Sequence, residues 1–127
     1  MTPGIEAITT AAISLALDAA SLRQRAIAAN IANVNTEGYT AMRVSFEEQL
    51  GELRERLNAS GTVDPFTLSG VRAQIVPALD VAGQGEKVRL DVEVAQLAEN
   101  TVRYQALLKG LNRHFAILNS AISDGRK

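Results

Sequence analysis

The sequence contains no cysteine, no tryptophan and few aromatic residues, which make up 4% of its 127 residues. Without cysteine there are no disulfide frameworks, thiolate metal sites or cysteine nucleophiles. Neither sign of charge dominates, because 13 Lys and Arg face 14 Asp and Glu and leave a formal net charge of -1. A broad basic surface for nucleic acid or anionic lipid is therefore not expected.

Long apolar runs are also missing. No stretch reaches the roughly 18 consecutive apolar residues of a membrane span. The N-terminus lacks a basic region followed by an apolar one, so a cleaved secretory signal is not expected.

Aliphatic residues recur instead with helical spacing near the N-terminus. One stripe alternates steps of three and four, which is typical of a coiled-coil seam, and consists of Ile5, Ile8, Ala12, Leu15, Ala19, Leu22, Ala26 and Ala29. A second set widens it and comprises Ile13, Leu17, Ala20, Ile27 and Ile31. The spacing predicts a long helix within residues 1–34 that contacts more than one neighbour.

A second long helix is predicted over residues 90–127. Its stripe has the same spacing, is interrupted by Thr101, and consists of Leu90, Val94, Leu97, Tyr104, Leu108, Leu111, Phe115, Leu118 and Ile122. Asp91 is the predicted N-cap, and Glu93 suits the positive end of the helix dipole. At about 1.5 Å per residue, both helices would extend for about 45 Å. The expected fold is mainly α, with the two terminal helices packed as an antiparallel, coiled-coil-like pair in one domain, 1–127.

The middle, residues 35–89, is expected to be irregular and partly β. Residues 46–57 predict a short charged helix, with Phe46, Leu50, Leu53 and Leu57 on one side. Turn signals follow at Ser60-Gly61, Asp64-Pro65 and Ser69-Gly70. Alternation of Val71, Ala73 and Ile75 with polar residues predicts one short strand before Pro77.

Candidate chemistry is sparse. His114, the single histidine, has no evident metal-ligand partner and is interpreted as a boundary or surface residue. Glu47 and Glu48 are adjacent and point in different directions on a helix, so they are interpreted as a solvated face. Gly83-Gln84-Gly85 lacks the context of a phosphate loop and is interpreted as a flexible linker. No catalytic residue, metal ligand or cofactor site is predicted, and an enzyme is not expected.

The most informative segment runs from Ala28 to Thr40, where the first helix should end. Three asparagines recur there, and Asn33 falls on the apolar stripe, where a buried amide would fix the register of the helix pair. Asn35 and Gly38 fit the first and fourth positions of a type I turn, after which Tyr39 can fold back on the helices. Composition alone is equally compatible with a plain helix ending.

This segment resembles the signature of the axial proteins of the bacterial flagellum, which include rod, hook and hook-junction subunits. Among them, residues 44–48, the stretch from Leu90-Asp91 through 103–107, residues 111–113 and Phe115 are similar to the short basal-body rod proteins of the proximal rod. Glu37 stands where proline is usual, and Glu86-Lys87 where an Asn pair is common.

The resemblance implies a structural rod subunit in the periplasmic rod, exported by the flagellar type III apparatus without signal cleavage. It would join the MS ring and export gate to the rest of the rod and transmit torque. Implied partners are other copies, other rod proteins, MS-ring and rod-junction proteins and the export gate, with no nucleic acid or small-molecule substrate. The expected assembly interface consists of Ile8, Leu15, Leu22, Asn30, Asn33, Asn35, Gly38, Tyr39, Leu97, Tyr104, Leu108, Leu111, Phe115 and Leu118.

Two alternatives stay open. One is a different proximal rod subunit of the same family. The other is a cytoplasmic helical adaptor or export chaperone, which would form a small closed oligomer, whereas a rod subunit makes contacts that continue from copy to copy.

Overall fold

The computed structural model describes residues 3–61 and 70–126, without the side chains of residues 3–5 and 7. In chain order, its elements are helix α1 (Pro3–Ala32), strand β1 (Met42–Ser45), helix α2 (Glu47–Ser60), strand β2 (Gln74–Pro77) and helix α3 (Leu90–Asp124). The predicted mainly α fold with two long terminal helices is confirmed. Within the described ranges, no helix is long and apolar enough to cross a membrane.

The two terminal helices pack against each other in antiparallel orientation. Residues 23–27 of α1 share one cleft with residues 96–103 of α3. Residues 20–24 share the next cleft with residues 100–108, so later residues of α3 meet earlier residues of α1. The 35 residues of α3 extend for about 52 Å and the 30 of α1 for about 45 Å.

The predicted N-cap of the second helix is wrong. Arg89 occupies that position with an extended backbone (φ -113°, ψ 105°), and no side chain caps the helix. Asp91 is the second residue of the helix, in its first turn, where its negative charge is favoured by the positive end of the helix dipole.

A small apolar core lies on the other side of α1. It contains Ala19, Ala26, Val44, Phe46 and Val71, with Leu15, Leu22, Met42, Leu53 and Ala73 packed around it. Helix α1 therefore packs on two sides, against α3 and against the middle segment, which confirms the prediction of more than one neighbour. Alanine predominates on its buried surface because small side chains let both neighbours approach closely.

The short charged helix begins one residue later than predicted and extends further, over Glu47–Ser60. Phe46 is not part of it but occupies the N-cap position, with its ring buried in the core. At the C-terminal end, Gly61 adopts the left-handed conformation (φ 71°) and its N–H donates to Leu57 O. No residue of α2 is fully buried, and the helix contacts the core through the half-buried Leu53.

The predicted strand lies further along the chain, over Gln74–Pro77, and pairs antiparallel with β1, which sequence reasoning did not predict. The register pairs Arg43 with Val76 and Ser45 with Gln74. Of the alternating residues, Val71 is buried but Ile75 is exposed, so the alternation does not mark the buried face of the strand.

The interpretation of Gly83-Gln84-Gly85 as a flexible linker is wrong. Asp80 organises a tight turn, because its Oδ1 accepts hydrogen bonds from Ala82 N and Gln84 N, each at 2.9 Å. The turn closes where Asp80 N donates to Gln84 O at 2.7 Å. The predicted turn at Asp64-Pro65 lies outside the described residues.

Candidate assembly site

The end of α1 is fixed by Asn30, which is 1% exposed. Its Nδ2 donates to Met42 O at 2.9 Å, and Met42 N donates to its Oδ1 at 2.8 Å. The Asn30 amide thus pairs with Met42, the first residue of β1, as a neighbouring strand would. It satisfies both the N–H and the C=O of Met42. The same Oδ1 accepts the hydroxyl of Tyr39 at 3.2 Å, which confirms that Tyr39 folds back on the helix.

The prediction that Asn33 is the buried amide is wrong, because that role belongs to Asn30, three residues earlier. Asn33 is half-buried and bonds locally. Its Nδ2 donates to Ala29 O at 2.9 Å, and its Oδ1 accepts the hydroxyl of Thr36 at 3.1 Å. Asn33 therefore gives Ala29 O a second donor beside its own backbone N–H, which lies 3.0 Å away, and reinforces the last turn of α1.

The turn after α1 is displaced by one residue from the predicted one. Tyr39 N donates to Thr36 O at 3.3 Å, so the turn runs from Thr36 to Tyr39 and Gly38 is its third residue. Gly38 has φ 75°, which a type II turn requires at that position and a type I turn does not. Glu37 then occupies the second position, where proline is favoured. Asn35 is exposed.

Asn100, which sequence reasoning missed, holds the two long helices together. It is 2% exposed, and its Nδ2 donates to Ala20 O and to Gln24 Oε1, both at 2.9 Å. The available signal was its place in the line Glu93, Asn100, Leu107 and His114, spaced by seven, all of whose members are buried or half-buried.

Among the residues that the structure describes, three polar atoms on that line have no hydrogen-bond partner: Glu93 Oε2, Asn100 Oδ1 and His114 Nε2. His114 is half-buried, as expected of a boundary residue, and its ring lies 6.3 Å from that of Phe115. Buried polar atoms without partners weaken a contact. The side of α3 that contains Asn100 therefore carries polar atoms as well as leucines, and its packing on α1 is partly polar.

The predicted interface residues divide into two groups. Those that are half-buried within the chain are Ile8, Leu15, Leu22, Leu97, Leu111 and Leu118. Tyr104, Leu108 and Phe115 are exposed, at 39%, 40% and 44%. The predicted stripe of α3 is thus rotated relative to its contact with α1: Tyr104 and Leu108 border a cleft with α1 yet stay exposed, as Phe115 does.

The exposed half of that stripe forms a continuous line along α3, which we call the outer stripe: Val94, Thr101, Leu108, Phe115 and Ile122. Its members are spaced by seven residues, as in a coiled-coil seam. Apart from Thr101 the line is apolar, and exposed apolar surface of this kind is typical of interaction sites.

The charged residues beside the core are paired. Arg23 bonds Glu47, and Arg43 Nη1 lies 2.7 Å from Glu48 Oε1. A backbone N–H and the Arg43 side chain lower the pKa of the exposed Glu48 below its ordinary value. Nowhere in residues 3–61 and 70–126 do three His, Asp or Glu side chains group closely enough to hold a metal ion.

Residues 12–40 match the family described as flagella basal body rod protein. A flagellar basal body rod protein FlgB from Bacillus subtilis is 36% identical over 87% of this chain and 90% of its own length. FlgB proteins from Yersinia enterocolitica and Escherichia coli are 31% and 28% identical over 87% of the chain. The chain belongs to the flagellar basal body rod protein family. In this rod protein, the matched segment contains Asn30, Asn33, Gly38 and Tyr39, so the family signature coincides with the hydrogen-bonded end of α1.

Proposed function

We propose that this chain is a structural subunit of the proximal rod of the bacterial flagellar basal body. It assembles with copies of itself and with other rod proteins through its terminal helices. In that position it joins the MS ring and the export gate to the rest of the rod, through contacts with MS-ring and rod-junction proteins. It transmits torque and acts on no substrate.

The outer stripe of α3 carries the proposal. Its apolar side chains remain exposed in the described part of the chain, although their spacing is that of a helix seam, and Leu108 lies at the edge of the cleft to α1. A neighbouring helix that covered Leu108 and Phe115 would remove apolar surface from water, at about 25 cal/mol per Å².

The polar contact between α1 and α3 fits the same role. A contact that includes a buried amide and unsatisfied polar atoms gains less stability than a dry apolar seam, and helices in proteins depend on packing more than on propensity. Passage of the unfolded chain through the type III export apparatus into the periplasm would require such low stability, which no disulfide opposes.

The experiment replaces Leu108 and Phe115 of the outer stripe with Asp in a strain that lacks the chromosomal gene. We expect the variant to be exported but absent from purified basal bodies, and the cells to be non-motile. The matched control replaces Gln105 and Asn112 with Asp. These two residues are also exposed on α3 and are seven residues apart, as Leu108 and Phe115 are, and cells with this variant should retain motility. Normal motility of the Leu108→Asp, Phe115→Asp variant would refute this use of the outer stripe.

The adaptor alternative predicts a different assembly. A helical adaptor or export chaperone would form one defined small oligomer and would stay in the cytoplasm. Isolated basal bodies distinguish the rod subunit from the adaptor. A rod subunit that carries a label is recovered in them and can be located in images, whereas a cytoplasmic adaptor is not.

A further inference from the structure

The outward side of α2 is acidic. Glu48, Glu52 and Glu55 are spaced by four and three residues, so they share one side of the helix, opposite Leu53, which packs toward the core. All three carboxylates are exposed, but Glu48 already pairs with Arg43, so Glu52 and Glu55 are the unpaired acids of this side. These two are three residues apart and repel one another. Arg56 follows Glu52 by four residues, but the two form no ion pair in the described part of the chain.

The distal half of α3 carries the opposite charge. Lys109 and Arg113 are four residues apart on the side of the helix that points away from α1, and both are exposed. Residues 100–123 contain no acidic residue, so no carboxylate of this helix can neutralise the pair. Two cations at this spacing destabilise an isolated helix.

Three arginines form ion pairs among the described residues, and the other basic side chains do not. Arg23, Arg43 and Arg103 each pair with a glutamate, namely Glu47, Glu48 and Glu99. Neither Lys109 nor Arg113, and neither Glu52 nor Glu55, takes part in an ion pair within residues 3–61 and 70–126. One chain therefore presents two self-repelling patches of opposite sign on two different helices.

We propose that the acidic side of α2 docks on Lys109 and Arg113 of a second copy of this chain. The inference rests on the proposed function and identifies a contact between neighbouring subunits. Because the two patches are different surfaces, the contact is heterologous: each copy offers a free acidic patch at one end and a free basic patch at the other. Such a contact continues from copy to copy, as a rod requires, and its charges select the partner and its register.

The test is a charge exchange. Lys109→Glu with Arg113→Glu places acid against acid, and Glu52→Lys with Glu55→Lys places base against base. We expect each double variant to reduce the amount of subunit in purified basal bodies about tenfold, since attraction becomes repulsion. The quadruple variant restores opposite charges across the contact, and we expect recovery to near the wild-type amount. Lys87→Glu with Arg89→Glu is the control, because both residues are exposed and the net charge changes equally.

Wild-type assembly of either patch variant would overturn the inference. So would a quadruple variant that is no better than the double variants, because the patches would then contact other proteins. The proposed function survives both outcomes as long as the unaltered chain is found in basal bodies.

Cysteine cross-linking gives a second readout, since the chain has no cysteine of its own. Glu52→Cys and Arg113→Cys in one chain should give a ladder of disulfide-linked oligomers within assembled basal bodies. A mixture of the two single variants should stop at dimers. Absence of any product linking position 52 to position 113 would count against the contact.

Discussion

Gly85 lies against the side chain of Thr40, so closely that a Cβ on Gly85 would be 2.7 Å from Thr40 Cγ2 and closer still to Oγ1. Thr40 follows the turn after α1, and Gly85 closes the turn that Asp80 organises. Next to them, Ala41 N donates to Glu86 O at 2.8 Å. The exit from the family signature is thus packed directly against the segment that leads into α3.

This contact predicts a specific steric conflict. Gly85→Ala should lower the free energy of unfolding by about 1–3 kcal/mol, because the added methyl group overpacks the site. Thr40→Ala removes both clashing atoms, so the double variant should be more stable than the sum of the single changes predicts. Circular dichroism during urea unfolding of the four purified proteins gives the free energies of unfolding for this double-mutant cycle. Gly51→Ala is the control, since a Cβ there meets nothing within 4 Å. Additive effects of Gly85→Ala and Thr40→Ala would show that the contact does not constrain the fold.

A second prediction concerns the two amides at the end of α1. Asn30→Asp removes the donor to Met42 O and buries a carboxylate, so we expect a loss of about 3 kcal/mol of stability. Asn33→Asp also loses a donor, but at a half-buried position beside solvent, and should cost about 1 kcal/mol or less. Thermal unfolding ranks the two variants. Equal losses of stability, or a larger loss for Asn33→Asp, would contradict the assignment of Asn30 as the buried amide that fixes the end of α1.

Periodicity predicted the helices well but could not fix which side of α3 faces α1. Leu97 and Leu111 belong to both the predicted stripe and the observed contact, whereas Leu108 and Phe115 are exposed. A residue that packs against another subunit is as apolar as one that packs within the chain. The apolar spacing is therefore the same for a contact within the chain and for a contact with another subunit, and cannot distinguish one from the other.

The residues that sequence reasoning missed depend on distant partners. Asn100 bonds Ala20 and Gln24, which are 80 and 76 residues away, and nothing in its local sequence distinguishes it from a solvated amide. Strand β1 is only four residues long, and its backbone is fixed by Asn30 on one side and β2 on the other. Such elements are determined by tertiary contacts rather than by local propensity.

A third prediction tests Asn100. In Asn100→Asp a carboxylate would face Ala20 O and Gln24 Oε1, two acceptors that need a donor, so α3 should separate from α1. We expect faster amide hydrogen exchange throughout the centre of both helices. Asn112→Asp, on an exposed side of the same helix, should leave exchange unchanged. Unaltered protection in Asn100→Asp would mean that this amide does not hold the helices together.

The last prediction separates a helix ending from a joint on which assembly depends, at Gly38 and Tyr39. Gly38 needs its positive φ, although a Cβ there would meet nothing within 4 Å, so a substitution strains the backbone without a clash. Gly38→Val should misdirect the chain, since β-branched residues avoid this conformation, whereas Gly38→Asn should be tolerated. Tyr39→Ala removes a half-buried ring and costs about 2–4 kcal/mol, while Tyr39→Phe loses only the hydroxyl bond to Asn30, about 1 kcal/mol.

We expect Gly38→Val and Tyr39→Ala to be exported yet to support no stable rod, with Gly38→Val the more severe. The conservative variants should assemble. Export past the inner membrane is scored beside recovery in purified basal bodies. If all four variants are recovered at wild-type levels, the segment only ends α1 and assembly does not depend on its geometry.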